Sequence, residues 1–306
     1  MAKPILVTGA YGFIGRHVSR HLATRGHTVT GIGHGAWAQH EWREWGISKW
    51  HTADIALDSL VTYAGGPELI VHCAGGASVG FSIERPLQDY QRTVSTTAAV
   101  LEFARLHARE AAVVMPSSAA VYGNAHELPI AESATLQPVS PYGEHKRMAE
   151  NLCRLYAEKF GVATAVVRFF SVYGPGLRKQ LLWDACDRLG RNEPPRFFGD
   201  GTETRDWLHI DDTVALLELA GSHAGRDCPV VNGGTGQAVP VRELLTHVFQ
   251  LLGRSDEPVF TGGGRSGDPK HYLADIQAAQ RWGWKPRVGW RDGVRQYLDW
   301  FRQGAP

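Results

Sequence analysis

The sequence is short of cysteine: four in 306 residues, Cys73, Cys153, Cys186 and Cys228, scattered with no Cys-x-x-Cys spacing. That speaks against a disulfide framework and a thiol-built zinc site, and leaves them as small core residues. An excess of either charge is missing too, since 32 basic side chains face 31 acidic ones for a net charge of +1, and no long basic run occurs. Nucleic acid and an anionic membrane are therefore poor fits as main partners. No apolar run reaches the roughly 18 to 20 residues of a spanning helix, and no charged leader precedes an apolar stretch, so a reducing cytoplasm is the expected location. Internal repeats and low-complexity segments are also lacking.

What is present is a rhythm. Short apolar runs at 5–8, 28–32, 69–73, 112–116 and 164–169 alternate with helical stretches, which predicts α/β architecture with a parallel sheet covered on both faces. One helix is expected over 142–160, with Met148, Leu152, Leu155 and Tyr156 at apolar spacing, and a similar one over 89–107. After about Gly174 the rhythm gives way to Pro- and Gly-rich connections and shorter elements. With 306 residues the chain can bury a large core, as one large domain or two smaller ones. Trp282, Trp284, Trp290 and Trp300 cluster near the end and are expected to pack rather than to form a sugar platform.

The first run leads directly into Gly9-Ala10-Tyr11-Gly12-Phe13-Ile14-Gly15, and a helical stretch follows. Glycines at that spacing between strand and helix permit a tight turn, close approach of the backbone to a pyrophosphate and close packing of helix on strand. The helix amino terminus adds free N–H groups and a positive dipole end. Downstream, Ser118 precedes Ala119-Ala120-Val121-Tyr122-Gly123, and Tyr142 stands four residues before Lys146. Side chains four apart share a helix face, so the Lys146 ammonium can lie beside the Tyr142 phenol. A phenol titrating near 10 needs a shift of about three units, roughly 4 kcal/mol, to serve as a base at neutral pH. Lys146 together with an oxidised nicotinamide ring could supply that positive charge.

Together these residues resemble the extended short-chain dehydrogenase/reductase family, in its nucleotide-sugar epimerase, dehydratase and ketoreductase branch. The resemblance runs through Val71-His72-Cys73-Ala74-Gly75, Arg168-Phe169-Phe170-Ser171-Val172-Tyr173-Gly174-Pro175, Gly199 to Trp207, Asp211-Asp212, Asn232 to Gly236 and Arg265 to Asp268. It implies a Rossmann-type doubly wound sheet over 1–174. Residues 175–306 would be mainly a substrate lobe, with segments returning to the first domain. It implies an NAD(P) site at Gly9, Gly12, Phe13, Ile14, Gly15, His34, Asp54, Ile55, Cys73, Ala74, Gly75, Tyr142, Lys146 and Phe169. Tyr142 would be the acid/base on a sugar oxygen, Ser118 would hydrogen-bond that oxygen ahead of Ser117, and Lys146 would hold the nicotinamide ribose. A nucleotide diphosphate sugar, linked to UDP, dTDP or GDP, would meet Ser78, Ser118 and Ser171, with Arg205 and Arg265 on its phosphates. Arg178, Lys179 and Gln180, with Trp183, would cradle its base. The helices over 89–107 and 142–160 would form a homodimer interface.

Departures from the family pattern narrow the reaction. Ala119-Ala120 stand where dehydratases of this branch carry an Asp-Glu pair, and two methyl groups cannot eliminate water. Gly33 stands where an NAD-specific site has an acid on the ribose 2′-hydroxyl, which admits NADP(H), with His34 as a candidate phosphate partner. Ser171 and Thr93 replace asparagines and shorten two hydrogen-bonding groups. The first expectation is therefore an NAD(P)H-dependent reductase of the 4-keto group of a nucleotide-linked 4-keto-6-deoxyhexose, with NADP(H) modestly favoured. The alternative is an NAD-dependent 4-epimerase, because the same Ser, Tyr and Lys serve both reactions. A non-catalytic dinucleotide-binding scaffold is the third reading, and the presence of all three proton-handling residues weighs against it.

Overall fold

The computed structural model describes residues 2–125, 127–190, 196–263 and 270–304. The chain opens with β1 (Pro4–Thr8), α1 (Phe13–Thr24), β2 (Thr28–Gly33), α2 (Gln39–Glu44), β3 (Ile47–Thr52), α3 (Leu57–Tyr63) and β4 (Leu69–His72). It continues with α4 (Val79–Glu84), α5 (Pro86–Tyr90), a π-helical turn (Gln91–Ser95), α6 (Thr96–His107), β5 (Ala112–Ser118), α7 (Pro141–Phe160) and β6 (Thr164–Phe169). Then come β7 (Ser171–Tyr173), α8 (Gln180–Gly190), β8 (Arg196–Phe197), β9 (Thr204–Arg205), β10 (Trp207–His209), α9 (Ile210–His223) and β11 (Val230–Gly233). The last elements are β12 (Val239–Pro240), α10 (Val241–Leu251), β13 (Val259–Phe260), α11 (Gln277–Arg281) and α12 (Trp290–Arg302).

Seven strands form one sheet in the order β11-β6-β5-β4-β1-β2-β3, parallel throughout. The apolar runs explain it: Ile5, Leu6 and Val7 are sealed from water, as are Ile70 and Val71 beside them, which a parallel sheet covered on both faces requires. The strand order reverses between β1 and β4. A Rossmann-like α/β fold opens a crevice there, beyond the carboxyl ends of the strands.

Two elements of that sheet lie outside the apolar runs read from the sequence. β3 is an edge strand that buries only Ile47, and β11 arrives from the late part of the chain to pair with β6. Several segments beyond Gly174 therefore return to the first sheet. Leu208, Ile210, Val214, Leu217 and Ala220 of β10 and α9 share a core with Ile5, Val7, Val18 and Leu22. A separate core beneath the lobe gathers Leu182, Ala185, Leu244, Leu245, Val248, Trp290 and Tyr297. The late tryptophans do pack: Trp284 and Trp290 are buried, and Trp282 stacks on His223 with ring centres 4.5 Å apart.

The stretch 89–107 is not one α-helix. The Thr96 and Thr97 hydroxyls donate to the carbonyls of Arg92 and Thr93, each at 2.6 Å. Hydroxyls that take local carbonyls compete with the helical ladder, and the chain relaxes here into the π-turn, a form common near functional sites. The 142–160 helix begins one residue early, with Pro141 in its first turn and Ser140 Oγ accepting from Gly143 N at 3.2 Å. It ends at Gly161, whose φ of 73° is the left-handed geometry glycine provides. Its inward face is Ala149, Cys153 and Ala157, while Met148 and Leu155 point outward. None of the described helices is long and apolar enough to cross a membrane.

Candidate active site

The turn after β1 is shaped by what a side chain would strike. A β-carbon on Gly9, whose φ is +66°, would come within 2.6 Å of the Ala74 nitrogen, and one on Gly15 would collide with the Gly9 carbonyl. The turn is thus pressed between α1 and the segment following β4. Gly12 caps α1 with no side-chain acceptor, leaving its first-turn N–H groups, including those of Phe13 and Ile14, uncapped by any side chain. This glycine-lined cradle at a helix amino terminus fits a dinucleotide pyrophosphate.

Around the same crevice lie Cys73, Ala74 and Gly75 after β4, and Phe169 at the end of β6, level with Ser118 and Gly233 on the neighbouring strands. Burial pushes the Cys73 thiol up to about 12, so it stays protonated. Ile55 is buried beyond β3. The exposed His34, beyond β2, does not stand alone: its Nε2 lies 3.1 Å from Asp54 Oδ1.

Ser118 and Ser117 close β5 and diverge. Ser117 donates to buried Glu150 at 2.5 Å. The Ser118 hydroxyl accepts from Ala120 N at 3.2 Å and hydrogen-bonds the Tyr142 phenol. Lys146 is 8% exposed, donates to the Pro116 carbonyl at 3.0 Å, and sits 6.0 Å from the centre of the Tyr142 ring. Its ammonium also faces the turn after β4, where a β-carbon on Gly75 would stand 3.5 Å from Nζ. The three side chains therefore meet at the crevice.

Their electrostatics differ from the expectation that Lys146 draws the phenol down. Burial holds the Tyr142 phenol above its ordinary value, the Ser118 hydrogen bond lowers it in part, and the Asp89 charge raises it further. Burial also pulls the Lys146 ammonium down, while the Asp89 and Glu150 carboxylates favour its charge. Sequence reading missed Asp89 and its partner His145, whose Nδ1 lies 2.6 Å from Asp89 Oδ2. The only clue was a histidine inside the Tyr142–Lys146 spacing.

On the other side of the crevice the sugar-side candidates are more dispersed. Ser78 caps α4, accepting from Phe81 N at 3.3 Å, and the Ser171 amide donates to the Asp206 carbonyl at 2.9 Å. Lys179 reaches across to the Ala77 carbonyl at 3.4 Å. Gln180 has a φ of 69°, a strained value for a non-glycine residue. The Arg178 guanidinium lies 5.9 Å from the Trp300 ring. Trp183 packs against the Trp300 and Phe301 rings, with centres 6.2 and 5.5 Å away. Arg205 Nη1 donates to the Thr204 and Lys270 carbonyls at 2.9 and 3.1 Å. Arg265 lies outside the described residues.

Comparison with known proteins follows the geometry. A model described as the NAD dependent epimerase/dehydratase family matches residues 5–233. A putative UDP-glucose 4-epimerase of Methanocaldococcus jannaschii is 30% identical over 309 residues, covering 97% of this chain and 98% of the relative. A UDP-glucose 4-epimerase of Mycolicibacterium smegmatis is 31% identical, with 97% and 98% covered. Among solved structures, UDP-glucose 4-epimerase from Thermotoga maritima with UDP-glucose superposes with a TM-score of 0.88 at 28% identity, covering 98% of each chain. MoeE5 in complex with UDP-glucuronic acid and NAD gives 0.87 at 31% identity, covering 98% and 99%. These findings support an enzyme acting on nucleotide sugars, and they favour the epimerase alternative over the reductase that the missing acids had put first.

Proposed function

The chain belongs to the NAD dependent epimerase/dehydratase family, and on that premise we propose that it is an NAD-dependent 4-epimerase of a UDP-linked sugar. The observation that carries the reading is the meeting of Ser118, Tyr142 and Lys146 at the crevice, within a likeness to UDP-sugar 4-epimerases that extends over nearly the whole chain. Ala119-Ala120 supply no carboxylate for elimination, which leaves proton and hydride exchange at a single carbon.

In this reading Tyr142 takes the proton of the C4 hydroxyl and later gives it back, while Ser118 hydrogen-bonds the same oxygen. Lys146, anchored on the Pro116 carbonyl, holds the nicotinamide ribose. When bound, the nicotinamide would supply the hydride acceptor and donor. The glycine turn and the α1 amino terminus hold the pyrophosphate, and Arg205 takes a phosphate of the sugar nucleotide. The Asp54 carboxylate beside His34 favours NAD over NADP, because a 2′-phosphate entering there would meet a negative charge. A homodimer through α5 to α7 is supported by the outward apolar side chains of Leu87, Leu106, Met148, Leu155 and Phe160.

The test begins with denaturing the purified protein and identifying the released nucleotide. Intact protein is then incubated with UDP-glucose, UDP-galactose or UDP-glucuronate and the C4 epimers are resolved. Released NAD and interconversion at C4 without added cofactor are expected. Stoichiometric oxidation of added NADPH by a nucleotide 4-keto-6-deoxyhexose, with no interconversion, would return the protein to the reductase reading.

A further inference from the structure

Asp89, in α5, is completely buried, and only one of its oxygens is satisfied. Oδ2 meets His145 at 2.6 Å, while Oδ1 is buried without a hydrogen-bond partner among the described residues and lies against Gly76, where any β-carbon would collide with it. The Gly76 amide is itself held by Thr93 Oγ1 at 2.9 Å, so the turn after β4 is fixed directly over the carboxylate. Burying a half-satisfied carboxylate is costly, and a well-packed apolar pair of similar volume would serve stability as well or better. Stability alone does not account for it.

Its position does. His145 directly precedes Lys146 and follows Tyr142 by three residues on α7, and the Asp89 charge acts on both the phenol and the ammonium. Tyr90 presents its ring edge-on to His145 at 5.6 Å, while the charged side chains of the adjoining turns are engaged elsewhere, Arg92 over the Phe81 ring at 4.8 Å and Glu144 with Arg147 at 2.7 Å. Cys73 stays a neutral thiol, and Glu150 is matched by Arg168.

We propose that Asp89, anchored by His145, is a positioning residue for proton transfer: its buried negative charge keeps Lys146 charged and Tyr142 protonated, so the phenol releases its proton only beside a positive nicotinamide ring. The role rests on the reading of Tyr142 as the acid/base group. It ties arming of that group to a loaded cofactor site, which protects a free site from holding a reactive phenolate.

The test reads the Tyr142 proton without any sugar. Phenolate absorbance of the protein with the cofactor it retains on purification, minus that of its Tyr142→Phe counterpart, is followed as pH rises. Asp89→Asn should lower the midpoint by about one pH unit, the scale of a nearby charge in a buried site. His145→Gln retains the carboxylate and offers it an N–H, so its midpoint should stay within a few tenths of a unit of the unaltered protein. Should Asp89→Asn fail to fold, the double variant D89S/H145S removes the carboxylate together with its anchor, with the same downward shift expected. An unchanged midpoint in a folded variant lacking the carboxylate, or equal shifts in Asp89→Asn and His145→Gln, would overturn the role. A shift as expected, in a protein with no C4 turnover of UDP-sugars, would overturn the proposed reaction and leave the role of Asp89 standing.

Discussion

Arg168 clasps Glu150 with two nitrogens, Nη2 at 2.8 Å and Nε at 3.1 Å, their side chains only 3% and 1% exposed. Ser117 shares the same carboxylate, the Tyr122 hydroxyl lies 3.0 Å from Arg168 Nη1, and that hydroxyl donates to Asn232 at 2.7 Å. β5, β6, β11 and α7 are thereby joined directly beneath Ser118. Removing one partner strands a buried charge, so Glu150→Ala should cost about 3–5 kcal/mol, read as a fall in the urea midpoint at unchanged slope. A loss below about 1 kcal/mol would mean that water reaches the guanidinium in the variant.

Tyr142→Phe removes the proton carrier and little packing, because the ring stays. Turnover should fall by about 10²- to 10⁴-fold, with the NAD content and thermal midpoint of the purified protein preserved. Retained turnover in this variant would remove Tyr142 from the chemistry and turn attention to another acid.

His72 bridges Thr8 at 2.7 Å and Thr97 at 3.2 Å inside the sheet, and burial pulls its imidazole from 6.5 down to about 3. Below pH 6.5 the unfolded chain takes up a proton there that the folded one refuses until about pH 3. Stability contributed by the neutral ring is thus whole above 6.5 and drains as the pH falls through that window. Between pH 7 and pH 4 the loss should be about 3 kcal/mol larger in the unaltered protein than in His72→Gln, as measured by urea unfolding at both pH values. Equal losses would show that the ring carries no such penalty.

The contact between His34 and Asp54 lies in the open, so changing it should leave the fold untouched. Asp54→Asn removes the negative charge a 2′-phosphate would meet, and the affinity ratio of NADP to NAD should rise several-fold in calorimetric titrations of protein stripped of nucleotide. No change in that ratio would locate cofactor choice elsewhere in the site.

These features differ in how much of them the primary structure carries. β1, β2, β4, β5 and β6 announce themselves because a strand covered on both faces must be apolar along its length, as Ile5-Leu6-Val7 is. β3 buries only Ile47 at the sheet edge, and β11 has only Val230 and Val231 before Asn232 and Gly233, so neither leaves such a run. The glycine turn and the Tyr142–Lys146 spacing are local geometry and readable for that reason. Asp89 meets His145 across 56 residues of chain through the packing of α5 on α7, and no local pattern records it. His34 reads from the sequence as a phosphate partner, and the carboxylate beside it, Asp54, lies just beyond β3, a pairing only the folded sheet creates.

The late arrival of β11 has a consequence for how the protein is made. A ribosome delivers the glycine turn among the first residues, yet the edge of β6 stays unpaired until residue 233 has been synthesised, and α9 must also arrive to cover β1 and α1. A chain terminated early in the lobe is thus an unfinished sheet with an adhesive edge, open to aggregation or proteolysis. Shortened versions from the carboxyl side should disappear from cells rather than persist as cofactor-binding fragments.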